Sequence, residues 1–314
     1  MTVIVTGAAG FIGSHTVDRL LMEGHAVVGV DNLRSGRLEN LNGPLQSASF
    51  RFERVDITER GRFDGVVERV KPQAIVHLAA LVSVQESIAN PDLNRLLNIE
   101  ATNLVAETAS SHRVPRIVFA SSAAVYGDCP DLPLKESSDK RPLSPYGSAK
   151  LQSENLLFDC ARKHPLTAMC LRYFNVYGLR QDPASPYSGV ITILRKQLSS
   201  GQPFTIYGDG NQTRDFVHVS DVARANVLAA TRPELDSSVI NICTGRSTSL
   251  NELIGIFRGG HPEDLLTSRA PERLGDIRHS CGDPTMARTA LCFSSDISIQ
   301  EGMSELIPRA VEAN

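Results

Sequence analysis

Tyr146 and Lys150 stand four residues apart in "SPYGSAK" (144–150), so a helix there would carry a phenol and an ammonium on one face. An ammonium near a phenol favours the phenolate and lowers its pKa. Such a tyrosinate can act as a general base toward a hydroxyl of a bound substrate. Tyr-x-x-x-Lys also arises often by chance, so the pair takes its meaning from its surroundings. Two more hydroxyls, Ser121 and Ser122, stand in "SSAAVYG" (121–127), where the apolar run "RIVFA" opens into a loop. They are either catalytic or simply end the strand. Ala123 and Ala124 follow them where a loop usually carries polar groups.

The elements that must position these groups are legible as a repeat. "TVIVTG" (2–7), "HAVVGVD" (25–31), "FRFERVD" (50–56), "QAIVHLAA" (73–80), "RIVFASS" (116–122) and "TAMCLRYF" (167–174) read as strands, several apolar on both faces. Helical periodicity fills 13–23, 58–70, 92–113 and 146–163. Ser144 suits an N-cap and Pro145 a first turn. Strand and helix in alternation predict an α/β fold, a doubly wound (Rossmann) parallel sheet, over 1–175. A late strand, "VINICTG" (239–245), is expected to bring 217–247 back to that sheet. Residues 176–216 and 248–314, looser and rich in Pro, Gly and Ser, are expected to form a smaller mixed α/β lobe.

"VTGAAGFIGSH" (5–15) sets Gly7, Gly10 and Gly13 between the first strand and the first helix. The first glycine allows a tight turn, the second admits a pyrophosphate against the backbone, and the third lets helix and strand pack closely. The helix N-terminus then offers free N–H groups and a positive dipole end to the phosphates. Asp31 ends the second strand, where a carboxylate can accept both ribose hydroxyls and repel a 2′-phosphate. NAD is therefore expected over NADP. Asp56, ending the third strand, either bonds an adenine amino group or caps a helix starting near Thr58. Leu78, Ala79 and Ala80 end the fourth strand with small residues that let a cofactor lie across the sheet edge.

Bulk properties exclude several alternatives. The 314 residues suffice for one large domain or two coupled ones. A hydrophobic share of 41% and a charged share of 21% suit a soluble globular protein. The net charge of −3 gives no electrostatic reason to expect nucleic acid or an anionic membrane as partner. The six cysteines form no Cys-x-x-Cys pair and read as free thiols of a reducing compartment. The eight histidines are scattered, so no metal site is expected. Met1 leads directly into "TVIVTG", so no leader is expected, and no apolar run approaches a membrane span. A cytoplasmic protein is expected.

The motifs TGAAGFIG (6–13), VDN (30–32), HLAA (77–80), SSAAVYG (121–127), SPYGSAK (144–150), RYFNVYGLRQDP (172–183), GDGNQTRDFVHVSDVA (208–223) and PERLGDIRHS (271–280) span nearly the whole chain. Together they resemble the extended short-chain dehydrogenase/reductase family, specifically its UDP-glucose and UDP-N-acetylglucosamine 4-epimerase-like members. The resemblance implies that Tyr146 is the base, Lys150 its partner and a ribose anchor, and Ser122 the hydroxyl that holds the reacting sugar oxygen. Ser121 is expected to contact the nicotinamide side at most. Phe11, Ile12, Asn32, Ile57 and Tyr173 join the glycines, Asp31, Asp56 and the HLAA segment as implied NAD contacts.

The same resemblance implies a UDP-sugar substrate. Arg214 and Arg273 suit its diphosphate, since guanidinium forks bind phosphate oxygens well. Asp276 would contact the nucleotide ribose, Phe216 the uracil, Asn175 the diphosphate or sugar, and Ser83 the sugar pocket. The implied reaction is removal of the sugar 4-hydroxyl proton by Tyr146 with hydride passing to NAD. The 4-keto sugar then turns over and takes hydride back on its other face. A small residue at Ser280 goes, in such proteins, with acceptance of N-acetylhexosamines. Leu179, where the family often has Pro, implies a local loop change. A homodimer is implied by resemblance alone.

Three rivals are weighed. A dehydratase or decarboxylase tends to carry acidic residues directly after the catalytic hydroxyl, where this chain has Ala123 and Ala124. A UDP-glucuronate 4-epimerase often replaces the Asn of "YFN" by Thr and adds a basic residue, so Asn175 speaks against it and Arg180 for it. A non-catalytic NAD-binding sensor or scaffold has no need of Ser122, Tyr146 and Lys150 together.

Overall fold

The structure, a computed structural model, describes residues 1–182, 189–260, 266–272 and 277–307. Seven parallel strands form the central sheet: β1 (Thr2–Thr6), β2 (Ala26–Asp31), β3 (Phe50–Arg54), β4 (Ala74–His77), β5 (Arg116–Ser122), β6 (Thr167–Tyr173) and β7 (Ser238–Ile242). Their order is β7-β6-β5-β4-β1-β2-β3. The order reverses between β1 and β4, and ligands of doubly wound sheets sit at such a switch point.

The principal helices are α1 (Phe11–Met22), α2 (Arg60–Val70), α3 (Ala101–Ser111), α4 (Pro145–Lys163), α5 (Val190–Ser200), α6 (Val219–Thr231) and α7 (Leu250–Gly260). Alternation along β1 shows why the strands read as continuously apolar. Val3 and Val5 pack with Val17 and Leu20 of α1 and Val222 and Val227 of α6. Ile4 points to the other face, against Phe63 of α2, Val105 of α3 and Leu157 of α4. Both faces are covered, so both need apolar side chains. A third cluster, with Leu194, Phe204, Leu253, Phe257 and Met303, joins α5 and α7 to the short strands of the second half.

One stretch that reads as a single helix, 92–113, is broken. A π-helical turn at Arg95–Glu100 precedes α3. It buries Asn98, whose Nδ2 donates to Leu81 O at 2.9 Å and to Asn94 Oδ1 at 2.7 Å. Periodicity does not reveal such an insertion, because one extra residue only displaces the apolar stripe.

Candidate active site

A cleft of about 490 Å³ runs along the C-terminal ends of β1, β2, β4, β5 and β6. It begins at the glycine turn. Gly7 has φ +70°, and a Cβ there would come within 2.7 Å of Ala79 N. A Cβ on Gly13 would lie 1.9 Å from Gly7 O, so only glycine lets α1 pack on the turn. Gly10 is the N-cap of α1, and no side chain occupies the cap. The first N–H groups of α1 are thus left to an anion.

Asp31 is buried at the end of β2, its Oδ2 accepting from Ala9 N at 3.0 Å and Oδ1 from Leu33 N at 2.8 Å. Burial raises its pKa, and the two N–H bonds pull it back. Each oxygen keeps acceptor capacity for a ribose hydroxyl. Facing it, a Cβ on Gly36 would come within 2.8 Å of Asp31 Oδ2. An anion site at a helix start beside a carboxylate in a narrow, side-chain-free approach fits a dinucleotide. Asp56 does not cap α2, which starts at Arg60 after Glu59. It accepts instead from Thr58 N, Thr58 Oγ1 and Asn32 Nδ2, at 2.9, 2.7 and 2.7 Å. Burial pushes the Asp56 pKa up, but the bonds from Thr58 and Asn32 outweigh it and leave the pKa lowered.

The proton-transfer groups meet at the middle of the cleft. Ser144 Oγ accepts from Gly147 N at 3.1 Å and Pro145 opens α4, which fixes the direction of Tyr146. Ser87 Oγ accepts from Tyr146 N at 3.2 Å, and Asn94 Nδ2 donates to Pro145 O at 3.1 Å, so neighbouring segments hold the first turn. Lys150 Nζ lies 4.8 Å from the Phe119 ring centroid and 5.8 Å from that of Tyr146. Ser122 Oγ accepts from Ala124 N at 3.1 Å, and Ser122 lines the cleft together with Tyr146.

The electrostatics differ from the sequence expectation. Burial raises the Tyr146 pKa, and the Ser122 hydrogen bond opposes this only in part. Burial also lowers Lys150 to about 7, against the attraction of Glu154. Desolvation disfavours both charged forms, so in this structure it outweighs the stabilisation of phenolate by ammonium. His77, between Thr6 Oγ1 at 2.8 Å and Thr102 Oγ1 at 3.2 Å, is pushed by burial and then by Lys150 to about 3, and is neutral.

The cleft brings together Gly7, Gly10, Phe11, Ile12, Gly13, Asp31, Asn32, Asp56, Ile57, Leu78, Ala79, Ala80, Ser121, Ser122, Tyr146, Lys150, Tyr173, Asn175 and Phe216. Ser121 donates its hydroxyl to Glu154, so that oxygen can offer a cofactor only acceptor capacity. Tyr173 donates to Asn226 Oδ1 at 2.6 Å, tying the cleft wall to α6. Three expected residues stand elsewhere. Ser83 caps the short helix Val84–Ala89, accepting from Glu86 N at 2.9 Å, and exposed Val82 lines the cleft instead. Arg214 donates to Thr213 O at 2.9 Å and is not a wall residue. Ser280 is buried, its N–H donating to Thr213 O at 3.1 Å. Arg273 and Asp276 lie outside the described residues.

Arg34, Ser35, Gly36 and Gln181 line the cleft unforeseen. The first three follow Asn32 after one intervening residue, Leu33, in "DNLRSG", and that nearness was the available signal. Arg180 pairs with Asp18 at 2.7 Å and is not a wall residue. Leu179, the departure from the family pattern, is exposed, and its carbonyl meets His15 Nε2 at 3.0 Å. Among the described residues, no group of three His, Cys, Asp or Glu side chains could hold a metal ion, and no helix is long and apolar enough to cross a membrane.

Comparison with known proteins agrees with this geometry. A model of the NAD dependent epimerase/dehydratase family matches residues 3–243. The chain belongs to this family. Among its relatives, the UDP-glucose 4-epimerase of Mycolicibacterium smegmatis is 39% identical over 310 residues, 98% of this chain and 97% of that one. A crystal structure of the Thermotoga maritima UDP-glucose 4-epimerase with UDP-glucose has a TM-score of 0.91 at 37% identity, covering 98% of this chain and 97% of that one. The UDP-N-acetylglucosamine 4-epimerase of Methanobrevibacter ruminantium, in complex with UDP-N-acetylmuramic acid, has a TM-score of 0.91 at 36% identity, covering 97% and 96%.

Proposed function

We infer that the protein is an NAD-dependent UDP-hexose 4-epimerase that interconverts UDP-glucose and UDP-galactose. The observation that carries this reading is the meeting of Ser122, Tyr146 and Lys150 in the cleft that starts at the glycine turn. The glycine turn and the α1 N-terminus hold the pyrophosphate of NAD, and Asp31 its adenine-side ribose. NAD supplies the acceptor and donor of hydride at C4. Ser122 holds the 4-oxygen of the sugar, and Tyr146 takes its proton and later returns it. Lys150, at the cleft wall, stabilises the tyrosinate once its ammonium is formed. Asn175 and Phe216, on paired short strands, border the substrate end of the cleft.

Ala123 and Ala124 leave Ser122 with no adjacent carboxylate, which supports reversible inversion over elimination. Arg180, paired with Asp18, is not positioned for a glucuronate carboxylate, which supports a neutral hexose. Arg214, Arg273 and Asp276 are proposed for the UDP moiety, and Ser280 for room at an N-acetyl group, which adds UDP-GlcNAc and UDP-GalNAc as substrates. Residues 1–175 with 217–247 form the cofactor-binding unit on this reading, and 176–216 with 248–314 the sugar-nucleotide lobe. Six unpaired cysteines support a reducing, cytoplasmic setting. Exposed Val84 and Ile88, one turn apart, and Leu143 support a homodimer.

The test is incubation with a panel of UDP-sugars, product identification, and assay of NAD released on denaturation. Tyr146→Phe should keep the fold and lose roughly 10²- to 10⁴-fold in kcat. An unchanged rate in that variant removes the mechanism.

A further inference from the structure

Tyr146, Lys150 and Glu154 follow one another at four-residue intervals along α4. The first two line the cleft; Glu154 lies one turn further, buried, and the proton chemistry above does not use it. Its Oε1 accepts from Ser121 Oγ and from Arg172 Nε at 2.8 Å, and its Oε2 from Arg172 Nη2 at 2.6 Å. Arg172, equally buried, donates through Nη1 to the Tyr126 hydroxyl at 2.9 Å and to Glu136 O at 3.2 Å. Tyr126 in turn donates to Asn241 Oδ1 at 2.6 Å, on β7.

This ion pair therefore grips the segment around Ser122 from both sides. Ser121, directly before it, is held by Glu154. Tyr126, four residues after it, is held by Arg172. The pairing depends on the sheet, since β5 and β6 place Ser121 opposite Arg172. A buried ion pair is a poor device for stability alone, because apolar residues of similar volume often serve a core as well. Its location gives it another use.

We propose that the Glu154–Arg172 pair is the positioning device of the proton-transfer site: it clamps the strand end that carries Ser122 and keeps one carboxylate charge behind Lys150. The kinetic part of this proposal rests on the epimerase reading; the part concerning Lys150 does not. The charged and titratable groups around the pair are Tyr146 and Lys150 on α4, His77 on β4, Cys170 on β6, and Tyr126, Glu136 and Lys140 after β5. Of these, Lys150 has Glu154 as the attraction that opposes its burial. Loss of the Glu154 charge moves the deprotonation of Lys150 to lower pH.

The test uses the full-length, NAD-loaded protein and the variants Glu154→Gln, Glu154→Asp and Tyr126→Phe. Lys150 is titrated by NMR of ¹³C-labelled lysine, assigned with Lys150→Met. In folded Glu154→Gln the Lys150 midpoint should fall below that of the wild type, and Glu154→Asp should recover part of the shift. In the UDP-glucose assay, kcat of Glu154→Gln should drop roughly 10- to 100-fold with KM little changed, as a misplacement of about 1 Å produces. The alkaline limb of its kcat profile should move to lower pH. Tyr126→Phe, which removes the far grip and the bond to Asn241 but leaves the Glu154–Arg172 pair in place, should lower kcat at unchanged KM and unchanged pH profile. An unmoved Lys150 midpoint in folded Glu154→Gln overturns the charge role. Wild-type kcat in Tyr126→Phe overturns the clamp, and decides the matter if Glu154→Gln does not fold. Absence of UDP-sugar turnover in the wild type refutes the epimerase reading alone, because the NMR midpoint is read without turnover.

Discussion

Replacing Lys150 by Met should make the cofactor-free protein more stable while abolishing its turnover. Lys150 is buried at 2% exposure, and its pKa falls from 10.5 to about 7 because burial penalises the ammonium more than Glu154 stabilises it. At about 1.4 kcal/mol per pH unit, this shift sets an upper limit near 5 kcal/mol on the penalty carried by the folded state. The sign follows from proton counts. Between about pH 7 and 10.5 the unfolded chain binds more protons at this site than the folded one, so its contribution to stability rises with pH across that window. Below the window both states are protonated, and the penalty is constant. Met has an unbranched side chain of similar length and removes the charge that lies 4.8 Å from the Phe119 ring centroid. Urea denaturation of both proteins, followed by circular dichroism from about pH 6 to pH 10, should show Lys150→Met more stable by about 2–5 kcal/mol at the acid end, with the gap narrowing toward pH 10. Equal stability at the acid end, or a gap that does not change with pH, refutes a desolvated lysine. Activity bought at the expense of stability is the general pattern of such sites.

The cradle and the ribose carboxylate give two further expectations. Gly13→Ala places a Cβ 1.9 Å from Gly7 O and 2.8 Å from Gly7 C, both backbone atoms that cannot yield cheaply. It should cost at least about 3 kcal/mol in a thermal or urea melt and leave the purified protein without released NAD; native stability and full NAD content would show the packing to be misread. Asp31→Ala leaves the N–H groups of Ala9 and Leu33 unpaired, a cost of about 1–3 kcal/mol. It should also weaken NAD binding and narrow the preference over NADP, and equal preference ratios in titrations of the two cofactors would refute the assignment of Asp31.

The order of strands and helices was legible because it is written locally. Val3, Ile4 and Val5 are apolar in sequence because both faces of β1 are covered, and the start of α4 follows from Ser144 and Pro145. The glycine spacing before α1 is equally local, since each glycine answers to a turn or a contact within that motif, apart from the approach of Gly7 to Ala79. Less was legible where one residue serves two masters. Ser83 reads as a pocket residue and is committed to a helix cap. Asp56 reads either as an adenine contact or as a cap; the structure removes the cap, ties the carboxylate to Thr58 and Asn32, and leaves it on the cleft wall. The π-helical turn at Arg95–Glu100 leaves no mark on periodicity.

The sequence by itself determined which chemistry the chain carries: a phenol and an amine one helical turn apart, hydroxyls at a strand end, and a glycine turn before a helix. Spacing and residue type suffice for these, because the partners lie within a few residues of each other. Tertiary structure alone decided the state in which those groups stand. The depression of Lys150 to about 7, the neutrality of His77, and the grip of Glu154 and Arg172 on both sides of Ser122 depend on burial and on the register of β5 against β6. Desolvation is a property of everything packed around a group, so no local pattern encodes it.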